Sequence, residues 1–164
     1  MSWSQAEVLA LATKAARGAG APAGQAQRFG QAVVAHLVRE GSPEDRLNAL
    51  YALPGGAIIE TPLSIDALRA EASSEVMTIA PDPTNPLFES YVLSLPYAIE
   101  PCESDGLLVF RVSCAAPRPT TETARLHLND KLVAKLRRFA DATLVPESEA
   151  SRSGGAGAGL DDND

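Results

Sequence analysis

Leu107-Leu108-Val109-Phe110-Arg111-Val112 decides the fold class. Leu108, Phe110 and Val112 alternate with Val109 and Arg111, the period of two expected of a strand with one buried face. Working towards the N-terminus, residues 87–95 read as a partner strand, and residues 100–106, holding Cys102, as the polar turn between the two. Pro81-Asp82-Pro83-Thr84-Asn85-Pro86 is a loop, because three prolines in six residues cannot sustain a hydrogen-bonded ladder. Residues 76–80 and 57–60 read as two further strands, and 64–72 as a short helix carrying Leu68. Towards the C-terminus, residues 115–120 form a loop. Leu126 and Leu128 alternate with Arg125 and His127 in a last strand. This hairpin-like spacing, without regular strand–helix alternation, favours an α+β fold with a small, mostly antiparallel sheet over a doubly wound one.

Helices flank the sheet. Ser4-Gln5-Ala6-Glu7 is a capping box, with Trp3 and Val8 at the spacing of a hydrophobic staple, so the single Trp is a structural clamp. Val8, Leu11, Ala12, Ala15 and Ala16 make one face, and Gly18 and Gly20 stop the helix. A second helix begins near Pro22, carries Ala26, Phe29, Val33 and Leu37, and ends at Gly41. The pair is an N-terminal helical hairpin, with His36 beside its stripe. Ser42-Pro43-Glu44-Asp45 opens a short third helix. Asn129 or Asp130 caps a C-terminal helix bearing Leu132, Val133, Leu136 and Phe139.

The 164 residues divide into one α+β domain, 1–146, and an extended Gly-rich, acidic C-terminal tail, 147–164. The tail has almost no apolar area to bury and is expected to be mobile on its own. The net charge is −7 and the pI about 4.8, which disfavours nucleic acid and anionic membranes as partners. Lys131, Lys135, Arg137 and Arg138 are locally basic and read as a solvated helix face. The opening residues lack the plan of a signal peptide and no apolar run approaches the roughly 20 residues of a membrane span, so a cytoplasmic protein is expected.

The chemistry narrows by elimination. The glycine run from Gly154 to Gly159 has neither the spacing nor the flanking strand and helix of a phosphate loop. Asp161, Asp162 and Asp164 lack the twelve-residue spread of a calcium loop. Cys102, Cys114, His36 and His127 fit no zinc pattern, although pairing of the predicted strands would bring His127 near Cys114. No metal or cofactor is expected. Lys14 and Arg17, followed by Gly18-Ala19-Gly20, suggest an anion pocket or, equally, exposed cations complementing a helix C-terminus.

Two stretches carry a resemblance. Lys14-Ala15-Ala16-Arg17-Gly18-Ala19-Gly20, together with the closing stretch from Thr143-Leu144-Val145-Pro146 through Glu149-Ala150-Ser151-Arg152 to Gly155-Ala156-Gly157-Ala158-Gly159-Leu160 and Asp162-Asn163-Asp164, resembles the bacterial domain of unknown function 3726 family. The chain departs from it at Leu144, where an aromatic is expected, and at Asp161, where a small polar residue is. The resemblance implies a specified tail and no activity. Ala32-Val33-Val34-Ala35-His36-Leu37-Val38-Arg39 is also similar to the helical start of the malate/lactate-type NAD(P)-dependent oxidoreductases, but the chain is too short for a complete enzyme of that type.

Two functions follow as expectations. The first is an accessory or interaction subunit whose tail engages a protein partner, or a second copy of the chain. The alternative is a small metabolite-binding protein or enzyme for an anionic metabolite. In that case the tail folds over the site, and Ser148, Ser151 and Arg152 join Lys14 and Arg17.

Overall fold

The computed structural model describes residues 2–40, 43–72, 74–119 and 125–143. The order is β1 (Ser2–Trp3), α1 (Gln5–Gly18), α2 (Ala23–Val38), α3 (Pro43–Tyr51), α4 (Ala57–Glu71), β2 (Val76–Ile79), α5 (Phe88–Leu93), β3 (Tyr97–Ser104), β4 (Leu107–Pro117), β5 (Leu126–His127) and α6 (Asp130–Asp141). The fold is α+β, with the N-terminal hairpin, the small antiparallel sheet and the closing helix all present. The tail lies outside the described residues.

The capping box forms as the spacing requires. The Ser4 hydroxyl accepts from the Glu7 amide at 3.2 Å, and the Ser4 amide donates to the Glu7 carboxylate at 2.7 Å. Val8, Ala12, Ala15 and Ala16 are fully buried. Pro22 stands just outside α2 as its cap rather than inside its first turn. At the other end of α2 it is Glu40 that takes a left-handed conformation (φ 57°), while Gly41 and Ser42 lie outside the described residues.

α1 and α2 pack closely because Gly30 has no side chain. A Cβ there would lie 2.3 Å from the Thr13 hydroxyl and 2.9 Å from the Leu9 carbonyl. α6 packs on α1 for the same reason. A Cβ on Gly18 would lie 1.7 Å from the Phe139 carbonyl oxygen. Asn129 caps α6, its side-chain oxygen accepting from the Lys131 and Leu132 amides at 2.7 and 3.2 Å.

Four sequence expectations are corrected. Residues 57–60 are not a strand. They open a single helix, α4, that runs through Pro62. Ile58, Pro62 and Ile65 are all buried and keep the spacing of one helix face, while Gly56 at φ 74° turns the chain into the helix. The burial of that stripe outweighs the one backbone hydrogen bond the proline forfeits.

Residues 87–95 are not a strand either. They hold α5, whose buried residues Phe88, Tyr91 and Val92 recur at helical spacing. Apolar residues fill six of the nine positions, in runs that fit a strand or a helix alike. Asn85 decides it by accepting the Leu87 amide on its side chain (3.1 Å) and the Phe88 amide on its carbonyl (3.0 Å).

The third correction concerns the hairpin. Residues 100–104 belong to β3, and only Asp105 and Gly106, both at positive φ (52° and 75°), form the turn. This is the two-residue Asp-Gly turn that matches strand twist. β4 runs on to Pro117 where a loop was expected. The sheet order is β2-β4-β3, with Met77, Ile79, Phe110, Val112 and Ile99 on the face that joins the single core.

The fourth is β5, which pairs with β1 rather than with the main sheet: Ser2 opposes His127 and Trp3 opposes Leu126. Cys114 and His127 therefore stand in different sheets and cannot be cross-strand neighbours. The N-terminal residues, expected only to clamp α1, also close this small ribbon.

Candidate functional site

Lys14 and Arg17 lie on exposed positions of α1, one helical turn apart. Arg17 turns back on its own connection, with Nη1 3.5 Å from the Ala21 carbonyl oxygen. Ser148, Ser151 and Arg152 lie outside the described residues. α6 ends beside Gly18: a Cβ there would lie 3.4 Å from the Ala142 Cβ, and Thr143 is the last described residue.

A site the sequence reading missed lies at the other end of α6. A cavity of about 470 Å³ opens between the end of α2, the start of α3, β5 and the start of α6. Leu37, Val38, Leu126, Leu128 and Leu132 supply its apolar walls, and Arg46, Arg125, His127, Asn129 and Glu40 its polar ones. Arg46 is 1% exposed, and its Nε and Nη1 have no hydrogen-bond partner among the described residues. Removing a guanidinium from water costs several kcal/mol, which the neighbouring Asp45 and Glu44 carboxylates offset in part. Burial pulls its pKa down to about 10, against the opposing pull of Asp45 and Glu44. It remains a cation at neutral pH.

The chain puts this charge inside for a simple reason. Arg46, Ala49 and Leu50 recur at i, i+3 and i+4 and are all buried, so the arginine occupies the core-facing stripe of α3. That was the available signal: a charge on an apolar helix face. The second arginine is differently placed. Arg125 donates from Nε to the Ser2 hydroxyl (2.8 Å) and from Nη2 to the Ser2 carbonyl (2.9 Å), fastening β1 beside β5. The capped start of α6 adds the positive end of a helix dipole.

A second polar cluster is buried nearby. His36 Nδ1 lies 2.9 Å from the Ser90 hydroxyl, and His36 Nε2 lies 3.5 Å from the Asp45 carboxylate. The residue types are those of a hydrolase triad, but the placement is not. Ser90 is fully buried inside α5, whereas a nucleophile has to be reached by its substrate. The cluster joins α2, α3 and α5 as a packed polar link, and His36 is a core residue.

No helix among the described residues is long and apolar enough to cross a membrane, and no group of three His, Cys, Asp or Glu side chains among them is arranged to hold a metal ion. No family model, curated protein or solved structure matches the chain.

Proposed function

We propose that this protein binds a small anionic ligand in the cavity around Arg46. The observation that carries the proposal is Arg46 itself: it lines the cavity while 1% exposed, and its sealed Nε and Nη1 have no hydrogen-bond partner among the described residues. An anion there would replace the hydration that the arginine gives up, and the adjoining helix dipole favours the same sign of charge. Arg125 holds the wall of the site by binding Ser2. This is the metabolite-binding reading with its centre moved from Lys14 and Arg17 to Arg46.

The test is calorimetric titration of the full chain with sodium acetate and with inorganic phosphate, compared with an Arg46→Met variant. Saturable binding of either anion that the variant lacks supports the proposal. Equal heats from both proteins would end it.

A second reading is favoured by a separate observation. α6 ends against Gly18, which places Thr143, the last described residue, close to the Lys14–Gly20 motif. That proximity supports an accessory role in which the tail and this end of α1 together engage a protein partner. It also supports the proposed kinship with the domain of unknown function 3726 family, since the two shared stretches would then form one surface. Co-purification with and without residues 147–164 tests it. A stoichiometric partner should disappear with the tail, and a partner retained by the truncated chain would contradict the role assigned to it.

A further inference from the structure

The chemistry of the cavity walls narrows the ligand class, an inference that rests on the anion-site reading above. Three features of the cavity decide it. First, the lining sets two guanidiniums, Arg46 and Arg125, against one carboxylate, Glu40, a surplus of a single positive charge; Arg125 has committed Nε and Nη2 to Ser2, and the Asn129 side chain is occupied by two α6 amides. Second, the Glu40 carboxylate shares the lining and opposes any second negative charge. Third, apart from His127 the rest of the wall is apolar: Leu126, Leu128 and Leu132 are at most 7% exposed, while Val38 is 58% exposed.

A phosphate monoester brings close to two negative charges at neutral pH. Its charge would exceed the single positive surplus of that lining and leave the excess beside Glu40. A carboxylate brings one charge and two acceptor oxygens. An aliphatic body attached to it would cover the leucine wall. The volume, about 470 Å³, lies within the range of small-molecule sites.

We infer that the ligand is an amphipathic monocarboxylate of the short- or medium-chain acid type, its carboxylate on Arg46 and its apolar body against Val38, Leu126 and Leu132. Affinity should then climb with chain length, by about fourfold for each methylene buried, until the cavity is filled.

The experiment titrates the full chain with acetate, hexanoate, octanoate, octyl phosphate, octanol and inorganic phosphate. The proteins are wild type, Arg46→Met and Val38→Ser. Octanoate is expected to bind most tightly. Arg46→Met should lose at least tenfold in octanoate affinity. Val38→Ser, a neutral change at an exposed position, should weaken octanoate several-fold more than acetate, and it serves as the test if Arg46→Met does not fold. Tighter Arg46-dependent binding of inorganic or octyl phosphate would overturn the ligand class while leaving the anion site standing. Octanol binding as well as octanoate would overturn the role of the charge. Failure of every probe to bind in an Arg46-dependent way would overturn both the class and the site.

Discussion

Replacing Gly18 by alanine should loosen the helical half of the molecule. The Cβ would arrive 1.7 Å from the Phe139 carbonyl oxygen and 2.8 Å from its carbon, whereas real Cβ contacts essentially never fall below 3.0 Å. The obstacle is backbone, so it cannot rotate away. α1 and α6 would have to part by about 1.3 Å locally, disturbing the contact that buries Leu132, Val133, Leu136 and Ala140 of α6. Overpacking of this kind costs about 1–3 kcal/mol, and the gain in helix propensity returns at most about 1. We expect a net loss of about 2 kcal/mol, or roughly 4–8 °C in melting temperature for a chain of this size. Gly24, also helical, is the control. A Cβ there meets nothing within 4 Å, so Gly24→Ala should be neutral or stabilising by up to about 1 kcal/mol. Far-UV circular dichroism melts of the three proteins are the assay. If Gly18→Ala melts at or above the wild-type temperature, α6 does not sit on α1 as described.

Ser4→Ala removes the cap of α1 and should cost about 1 kcal/mol in urea unfolding. The hydrogen bonds from the Ser4 amide and hydroxyl hold the Glu7 carboxyl below its usual range, so their stabilising effect is present at neutral pH and lost as pH falls through that depressed value. The Ser4→Ala penalty should accordingly shrink in acid, and the Glu7 carboxyl should titrate higher in the variant when followed by NMR. Tyr91 is 1% exposed, and its hydroxyl has no partner among the described residues. Burial raises its pKa well above the ordinary value of 10, against a weaker opposing effect of Arg28, so the neutral form is held and stability falls as pH rises past that ordinary value. Tyr91→Phe should leave stability at pH 7 unchanged or raise it by about 1 kcal/mol, and should flatten the alkaline decline. Arg46→Met removes a buried cation with two unpartnered donors among the described residues and should match or exceed wild-type stability without ligand, as thermal melts will report.

The elements most legible in the sequence were those with local chemical markers. Ser4 and Glu7 declared α1, Asn129 declared α6, and the alternation of Phe110 and Val112 declared β4, because each depends on neighbours within a turn or two. Residues 57–60 and 87–95 misled for a shared reason. A short, mostly apolar run has no readable period, and what made each a helix was burial from partners distant in sequence. Pro62 falls between the expected strand and the expected helix, and the Ile58–Ile65 face fixes one helix around it. Asp105-Gly106 was a readable turn signal obscured by the polar edge strand before it. The pairing of β1 with β5 joins residues some 120 positions apart and had no local marker. The site follows the same division. Lys14 and Arg17 drew notice as exposed cations beside glycines. Arg46 is unremarkable until α3 is laid out as a helix and the charge falls on its buried side.

The central claim is that the Arg46 guanidinium is a buried cation waiting for an anion. The most direct measurement is ¹⁵N NMR of the arginine Nε–H resonances of the full chain, assigned by comparison with Arg46→Met, during titration with sodium octanoate and with sodium chloride at matched ionic strength. The predicted result is an Arg46 Nε–H protected from solvent exchange that shifts saturably with octanoate and not with chloride. An Arg46 Nε–H that exchanges as fast as those of exposed arginines, or that is unmoved by octanoate, would contradict the account.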